Sequence, residues 1–89
     1  EMIGGMQNLY KVLKYPEIAR LAGMEGKVVI QLLIDENGVP SNPIVLRSAW
    51  QILNDAAKEA LLKQRFKPGR QRGKAVRVQM AFPVTFELG

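Results

Sequence analysis

The 89-residue sequence contains no cysteine. That excludes disulfide staples, thiolate metal sites and thiol nucleophiles together. It contains no histidine either, which removes His-based triads, the commonest general base and the commonest metal ligand. Ser41 and Ser48 therefore have no imidazole to activate them, and Asp35 and Glu36 fall in a turn, where a carboxylate is ordinarily solvated. No enzymatic activity, cofactor or metal is expected. The longest apolar run, Val28 to Ile34, is interrupted by Gln31 and falls far short of the ~20 residues a membrane span requires. No pattern of basic end, apolar stretch and small-residue cleavage site marks a signal peptide. The first residue is Glu1 rather than methionine, so the expectation is a single domain over 1–89 that forms a fragment of a longer, membrane-anchored protein.

What is present is a globular composition, 47% hydrophobic and 24% charged, enough for one core and not two. The net charge is +5, unevenly placed. No acidic residue lies between Glu59 and Glu87, yet Lys63, Arg65, Lys67, Arg70, Arg72, Lys74 and Arg77 supply seven of the thirteen basic residues there.

Met6, Leu9, Tyr10 and Leu13 have the spacing of a short amphipathic helix over Met6–Lys14, closed by Tyr15-Pro16. Pro16 suits the first position of a second helix, with Glu17 in its first turn and Gly23 as its stop. From Lys27 to Asp35 the period changes to two, with Val28, Ile30, Leu32 and Ile34 forming a wholly apolar face. Asp35-Glu36-Asn37-Gly38 is a hairpin turn, with Asn-Gly suited to positive φ. The returning strand, Val39 to Ser48, carries Pro40 and Pro43 and belongs at a sheet edge. Leu53, Ala56, Ala57, Ala60 and Leu61 trace a helix over about Ile52–Gln64, with cations near the end where the macrodipole favours them. Pro68-Gly69 breaks it, and Arg70 to Lys74 reads as a basic loop. In the last segment Val76, Val78, Met80, Phe82, Val84, Phe86 and Leu88 alternate with Arg77, Gln79, Ala81, Pro83, Thr85 and Glu87. The fold class that follows is α+β, in the order α-α-β-β-α-β. Placing the proline-free first strand between the other two gives a three-stranded antiparallel sheet of order 2-1-3. Helices cover one face and the crossover has the usual right hand.

The last strand carries the sharpest functional expectation. If Pro83 faces away from the central strand, its missing N–H costs nothing, and Arg77, Gln79 and Ala81 aim their backbone groups at the open edge. A peptide adding there would run along Val76, Arg77, Val78, Gln79, Met80, Ala81 and Phe82 and lose register near Pro83, with main-chain bonds giving affinity and side chains specificity. The alternative is an edge that is short, twisted or self-paired in a homodimer, with Pro83 as its guard against aggregation. The basic run Lys63–Arg77 has three readings: a solvated face with a helix-end role, attraction to an acidic receptor segment or to anionic peptidoglycan, or nucleic-acid binding. Only Phe66 interleaves with these charges, so the stacking platform of a single-strand binder is missing and no nucleic acid is expected. Arg70, Arg72 and Lys74 are candidate accessory contacts. So is Tyr15, whose ring suits the core and whose hydroxyl is able to reach a partner backbone. Trp50 is read as a partly buried core cap or as a binding anchor. Gly69–Lys74 has the wrong spacing for a phosphate loop and is followed by a strand.

Tyr15-Pro16-Glu17-x-Ala19-Arg20, Gly26-Lys27-Val28-Val29, Asp35-Glu36-Asn37-Gly38, Arg65-Phe66-Lys67-Pro68-Gly69, Val76-Arg77-Val78 and Phe82-Pro83-Val84-Thr85-Phe86 occur in order at fitting spacings. Together they resemble the C-terminal domain of the TonB family, over nearly the whole chain from Gly5 to Leu88. The resemblance implies a periplasmic domain of a Gram-negative cell, anchored to the inner membrane by a segment not present here. Such domains carry force from the ExbB–ExbD motor to outer-membrane TonB-dependent receptors for import of siderophores, vitamin B12 or glycans. The receptor's TonB box peptide adds as a strand to the last strand of the domain. Some family domains are instead appended to other proteins, including signalling metallopeptidases, so the alternative expectation is a regulatory or scaffold module of a signalling or wall-binding protein without force transduction. Two positions depart from the pattern. Gln64 stands where members often have tryptophan, and Lys11-Val12-Leu13-Lys14 stands where the best-known members have polar residues that help hold the receptor peptide.

Overall fold

The computed structural model describes residues 2–89. Helix α1 spans Gly5–Val12 and buries Leu9. It ends when Leu13 turns extended at ψ 122°, earlier than periodicity alone predicts and two residues before Tyr15, where Pro16 disfavours the helical conformation. Helix α2, Glu17–Leu21, takes Pro16 as its N-cap rather than as its first residue. It stops at Gly23, whose φ of 69° is cheap only for glycine.

Strand β1, Gly26–Ile34, places Val28, Ile30, Leu32 and Ile34 entirely out of solvent. Burial of that size stabilises by about 1.5–3 kcal/mol per side chain, so the one apolar face fixes the strand's register. The following turn is built by Asp35, whose Oδ1 accepts from the backbone N–H of Asn37 at 2.8 Å and of Val39 at 2.9 Å. Positive φ falls on Gly38 alone, at 80°, and not on Asn37. Gly38 is also required by space, since a Cβ there would overlap the Phe66 carbonyl. Strand β2, Pro40–Ser48, pairs with β1 through two register shifts, and Asn42 takes φ 52°. A 3-10 turn at Gln51–Leu53 leads into helix α3, Asn54–Leu62, which buries Ala57, Ala60 and Leu61 over β1 and β2.

The three-stranded antiparallel sheet has the order β2-β1-β5, where β5 is Val78–Phe86. This is the expected topology, the prolines of both outer strands lying on edges. Two expectations need correcting. The segment read as a basic loop folds into a ribbon of β3, Gly69–Gln71, and β4, Lys74–Val76, paired Gly69↔Val76, Arg70↔Ala75 and Gln71↔Lys74. Its turn residues Arg72 and Gly73 take φ of 52° and 79°, the mirror-image conformation that a tight hairpin demands. The last segment is therefore not one strand from Val76 to Leu88. Val76 belongs to β4, Arg77 lies between the strands, and β5 ends at Phe86. Nor is its apolar face uniformly buried: Val84 and Phe86 are in the core, Val78 and Phe82 pack against it, and Met80 is 37% exposed. The reason is that α3 lies over β1 and β2, leaving the start of β5 outside its cover.

Phe66 joins these layers. Its ring is buried and packs on the Phe82 ring at 5.0 Å between centroids, tilted by 41°. Its N–H donates to the Gly38 carbonyl at 3.0 Å, while Ile3 N–H donates to the Arg65 carbonyl at 2.7 Å. Gln64, where an aromatic was expected, is buried and satisfied: its Nε2 donates to the Ala60 carbonyl at 3.3 Å and the Asn8 carbonyl at 3.5 Å. The amide ties α1 to α3 by hydrogen bonds where a ring would have done so by area.

Candidate functional site

The sheet has two outer edges, and they are unequal. The outer side of β2 is blunted by Pro40 and Pro43, two register shifts and the left-handed Asn42, the usual devices against edge pairing. Strand β5 is regular. It pairs with β1 residue for residue from Gly26↔Phe86 to Ile34↔Val78 with no shift. Among the described residues no strand pairs with its other side.

Which backbone groups face that side follows from the alternation of an antiparallel ladder. Thr85 N–H donates to the Tyr10 hydroxyl at 3.1 Å, so it points away from β1. Pro83, two residues earlier, has no N–H to offer β1. On the opposite side of β1, the Lys27 carbonyl accepts from Ala49 N–H at 3.0 Å, so this residue, which pairs with Thr85, also bonds outward. By the same period of two, Ala81 and Gln79 direct their N–H and C=O groups to the open edge, while Val78, Met80, Phe82, Val84 and Phe86 bond to β1. Two consecutive outward donors, Gln79 and Ala81, are thus available before Pro83 interrupts the row.

The predicted edge residues are only partly contiguous. Val78, Gln79, Met80, Ala81 and Phe82 lie on β5, whereas Val76 is paired in the ribbon with Gly69. Arg77 sits at the junction, where its Nε meets Glu36 Oε1 at 3.4 Å. This exposed ion pair joins the β1–β2 turn to the start of β5 and is worth at most about 1 kcal/mol. Arg70, Arg72 and Lys74 are exposed on the ribbon, and Arg70 Nη1 donates to the Gly73 carbonyl at 3.3 Å. Gly69 packs so closely that a Cβ would overlap Val78 Cγ1, which places this basic ribbon against the first residue of β5.

Tyr15 does not offer its hydroxyl outward as expected. The hydroxyl donates to the Met24 carbonyl, and the ring meets Phe86 edge-on at 5.4 Å. Partial burial, and secondarily the Glu25 carboxylate, hold its phenol above the ordinary value of 10.0. Trp50 is 45% exposed, with its indole N–H donating to the Glu25 carbonyl at 3.1 Å. The tyrosine that does reach the edge is Tyr10, which was read only as a helix-face residue. It lines, with Leu13, Tyr15, Thr85, Phe86 and Glu87, an open groove of about 540 Å³ beside the end of β5. Nothing local in the sequence marks this contact, because its two residues are 75 positions apart.

Fold and edge define a class: a small α+β domain whose antiparallel sheet has one guarded edge and one regular edge with outward backbone donors. The model of the family described as Gram-negative bacterial TonB protein C-terminal matches residues 11–88, and the chain belongs to that family. It is similar to Protein TonB of Vibrio cholerae serotype O1, 32% identical over 76 residues, which is 84% of this chain and 31% of that protein. The chain thus spans about a third of the length of the curated relative it matches. The solution structure of the Pseudomonas aeruginosa TonB C-terminal domain superposes with a TM-score of 0.70 at 29% identity, covering 84% of this chain and 77% of that one. A solution structure of the Helicobacter pylori TonB C-terminal domain gives 0.74 at 25% identity, covering 94% and 77%.

Proposed function

We propose that this chain is the periplasmic, non-enzymatic partner-binding domain of a TonB-type energy transducer. In this reading it is one domain of a longer protein, anchored in the inner membrane and driven by an ExbB–ExbD motor. Its partners are outer-membrane receptors, whose TonB box peptide adds as an extra strand along β5, with Val78–Phe82 as the contact segment. The observation that carries the reading is the regular outer side of β5, with Gln79 and Ala81 aimed outward. A bound strand recovers those main-chain bonds while exposing no new edge of the domain itself. The basic ribbon, Arg70, Arg72 and Lys74, stands at the start of this segment and favours a partner with acidic residues at that end.

Titration of the isotope-labelled chain with peptides tiling the N-terminal segments of outer-membrane receptors of the same organism tests this. Shifts and new amide protection centred on Gln79 and Ala81 are expected. Shifts confined to the β2 edge, or none with any receptor peptide, would overturn it.

A further inference from the structure

The open edge of β5 is not uniform along its length. At Gln79 and Ala81 no strand among the described residues pairs with it, whereas at Thr85 the outward N–H is already taken by the Tyr10 hydroxyl at 3.1 Å. Between them Pro83 contributes no donor at all. We infer that Tyr10 sets how far along β5 a partner strand pairs: its hydroxyl occupies the next outward backbone donor after Ala81, so pairing stops short of Thr85 unless Tyr10 is displaced. This inference rests on strand addition at β5 as proposed above.

The geometry gives Tyr10 the position and the freedom for this role. Its neighbour Leu9 is fully buried, which fixes helix α1, while Tyr10 itself is 41% exposed and extends from the helix to the strand. The helix is held elsewhere. Ile3 N–H bonds the Arg65 carbonyl, Gln64 Nε2 bonds the Asn8 carbonyl, and α1 packs on α3. Removing Tyr10 from the edge therefore leaves the helix anchored. The hydroxyl accepts from Thr85 in the place where a partner carbonyl would accept, so the two compete for one donor. A short partner strand, pairing with Gln79 and Ala81, never meets this competition. A longer strand meets it once it passes Pro83, where it has already lost one bond to the proline. The combination of a missing donor at Pro83 and an occupied one at Thr85 makes the stop abrupt. Tyr10 is thereby a specificity-determining residue for partner length, acting on the backbone and indifferent to partner sequence.

The test uses Tyr10→Phe, which keeps the half-exposed ring and removes only the hydroxyl. Without peptide, Thr85 N–H in the parent chain exchanges more slowly than Ala81 N–H, and in the variant it exchanges at a similar rate to Ala81. Two receptor-derived peptides are then compared, one long enough only for Val78–Phe82 and one extended to pass Thr85. The short peptide binds parent and variant alike, and the extended one binds the variant more tightly by about five-fold, the value of one neutral hydrogen bond. Equal exchange at Thr85 and Ala81 in the parent, or an unchanged affinity for the extended peptide while the short one binds, overturns the role of Tyr10. Failure of the short peptide to bind the parent overturns strand addition itself.

Discussion

Gly38 shows how one residue carries both a conformation and a clearance. Its φ of 80° lies in the left-handed region, and a Cβ would overlap the backbone oxygen of Phe66 rather than a movable side chain. Gly38→Ala is expected to lower stability by at least about 1–2 kcal/mol, the cost of left-handed backbone alone for an L residue, measured by chemical denaturation. Tyr15 gives a pH signature. A phenol whose ionisation is raised in the folded state stays neutral there after the unfolded chain has begun to ionise. The unfolded state then binds fewer protons, so stability is full below about pH 10 and falls as pH rises above it. Tyr15→Phe is expected to flatten that alkaline fall in pH-dependent unfolding curves. It also lowers stability at neutral pH, because the bond to the Met24 carbonyl is lost. Gln64, noted in the sequence as a departure from the family pattern, still fills a buried position, its amide satisfied by the Ala60 and Asn8 carbonyls.

At the scale of elements, the sheet was legible because its signals are local and redundant. Val28, Ile30, Leu32 and Ile34 alternate without error, and Pro40, Pro43 and Pro83 assign the outer strands by what proline cannot donate. The β3–β4 ribbon was not legible. Its turn is Arg72-Gly73 rather than Asn-Gly, and its strands are three residues each, too short for periodicity to register. Only the positive φ that Gly73 permits distinguished it from a loop. The ribbon's cations are exposed, so reversing Arg70, Arg72 and Lys74 to glutamate is expected to change stability by no more than about 0.5 kcal/mol for each substitution. The same change should slow association with a receptor peptide carrying acidic residues, an effect that salt abolishes. Stopped-flow association rates at low and high salt measure it. Phe66→Ala, by contrast, removes the buried ring that packs against Phe82 while keeping the backbone bond to Gly38, and is expected to cost about 3–5 kcal/mol.

For the whole molecule, protection is distributed unequally between the two sheet edges, and on the proposed reading this leaves one edge for a partner strand while the other resists pairing. The β2 edge is closed by prolines, register shifts and Asn42, while β5 keeps an unshifted ladder with β1. Its edge is limited at one end by the basic ribbon and at the other by Pro83 and Tyr10. The outward direction of Gln79 and Ala81 was foreseen from Pro83 alone. The terminus of the usable segment was not, because it depends on a helix and a strand from opposite ends of the chain meeting at Tyr10 and Thr85. The most direct test of strand addition substitutes proline within this segment. Ala81→Pro removes an N–H that faces the open edge, as Pro83 already does. Met80→Pro removes one that bonds β1. Receptor peptides are titrated against both variants and the parent while the β1 amide spectrum is recorded. The account predicts that Ala81→Pro keeps the β1 spectrum and loses the peptide response, whereas Met80→Pro disrupts the sheet. An Ala81→Pro chain that binds the same peptide as tightly as its parent would contradict it.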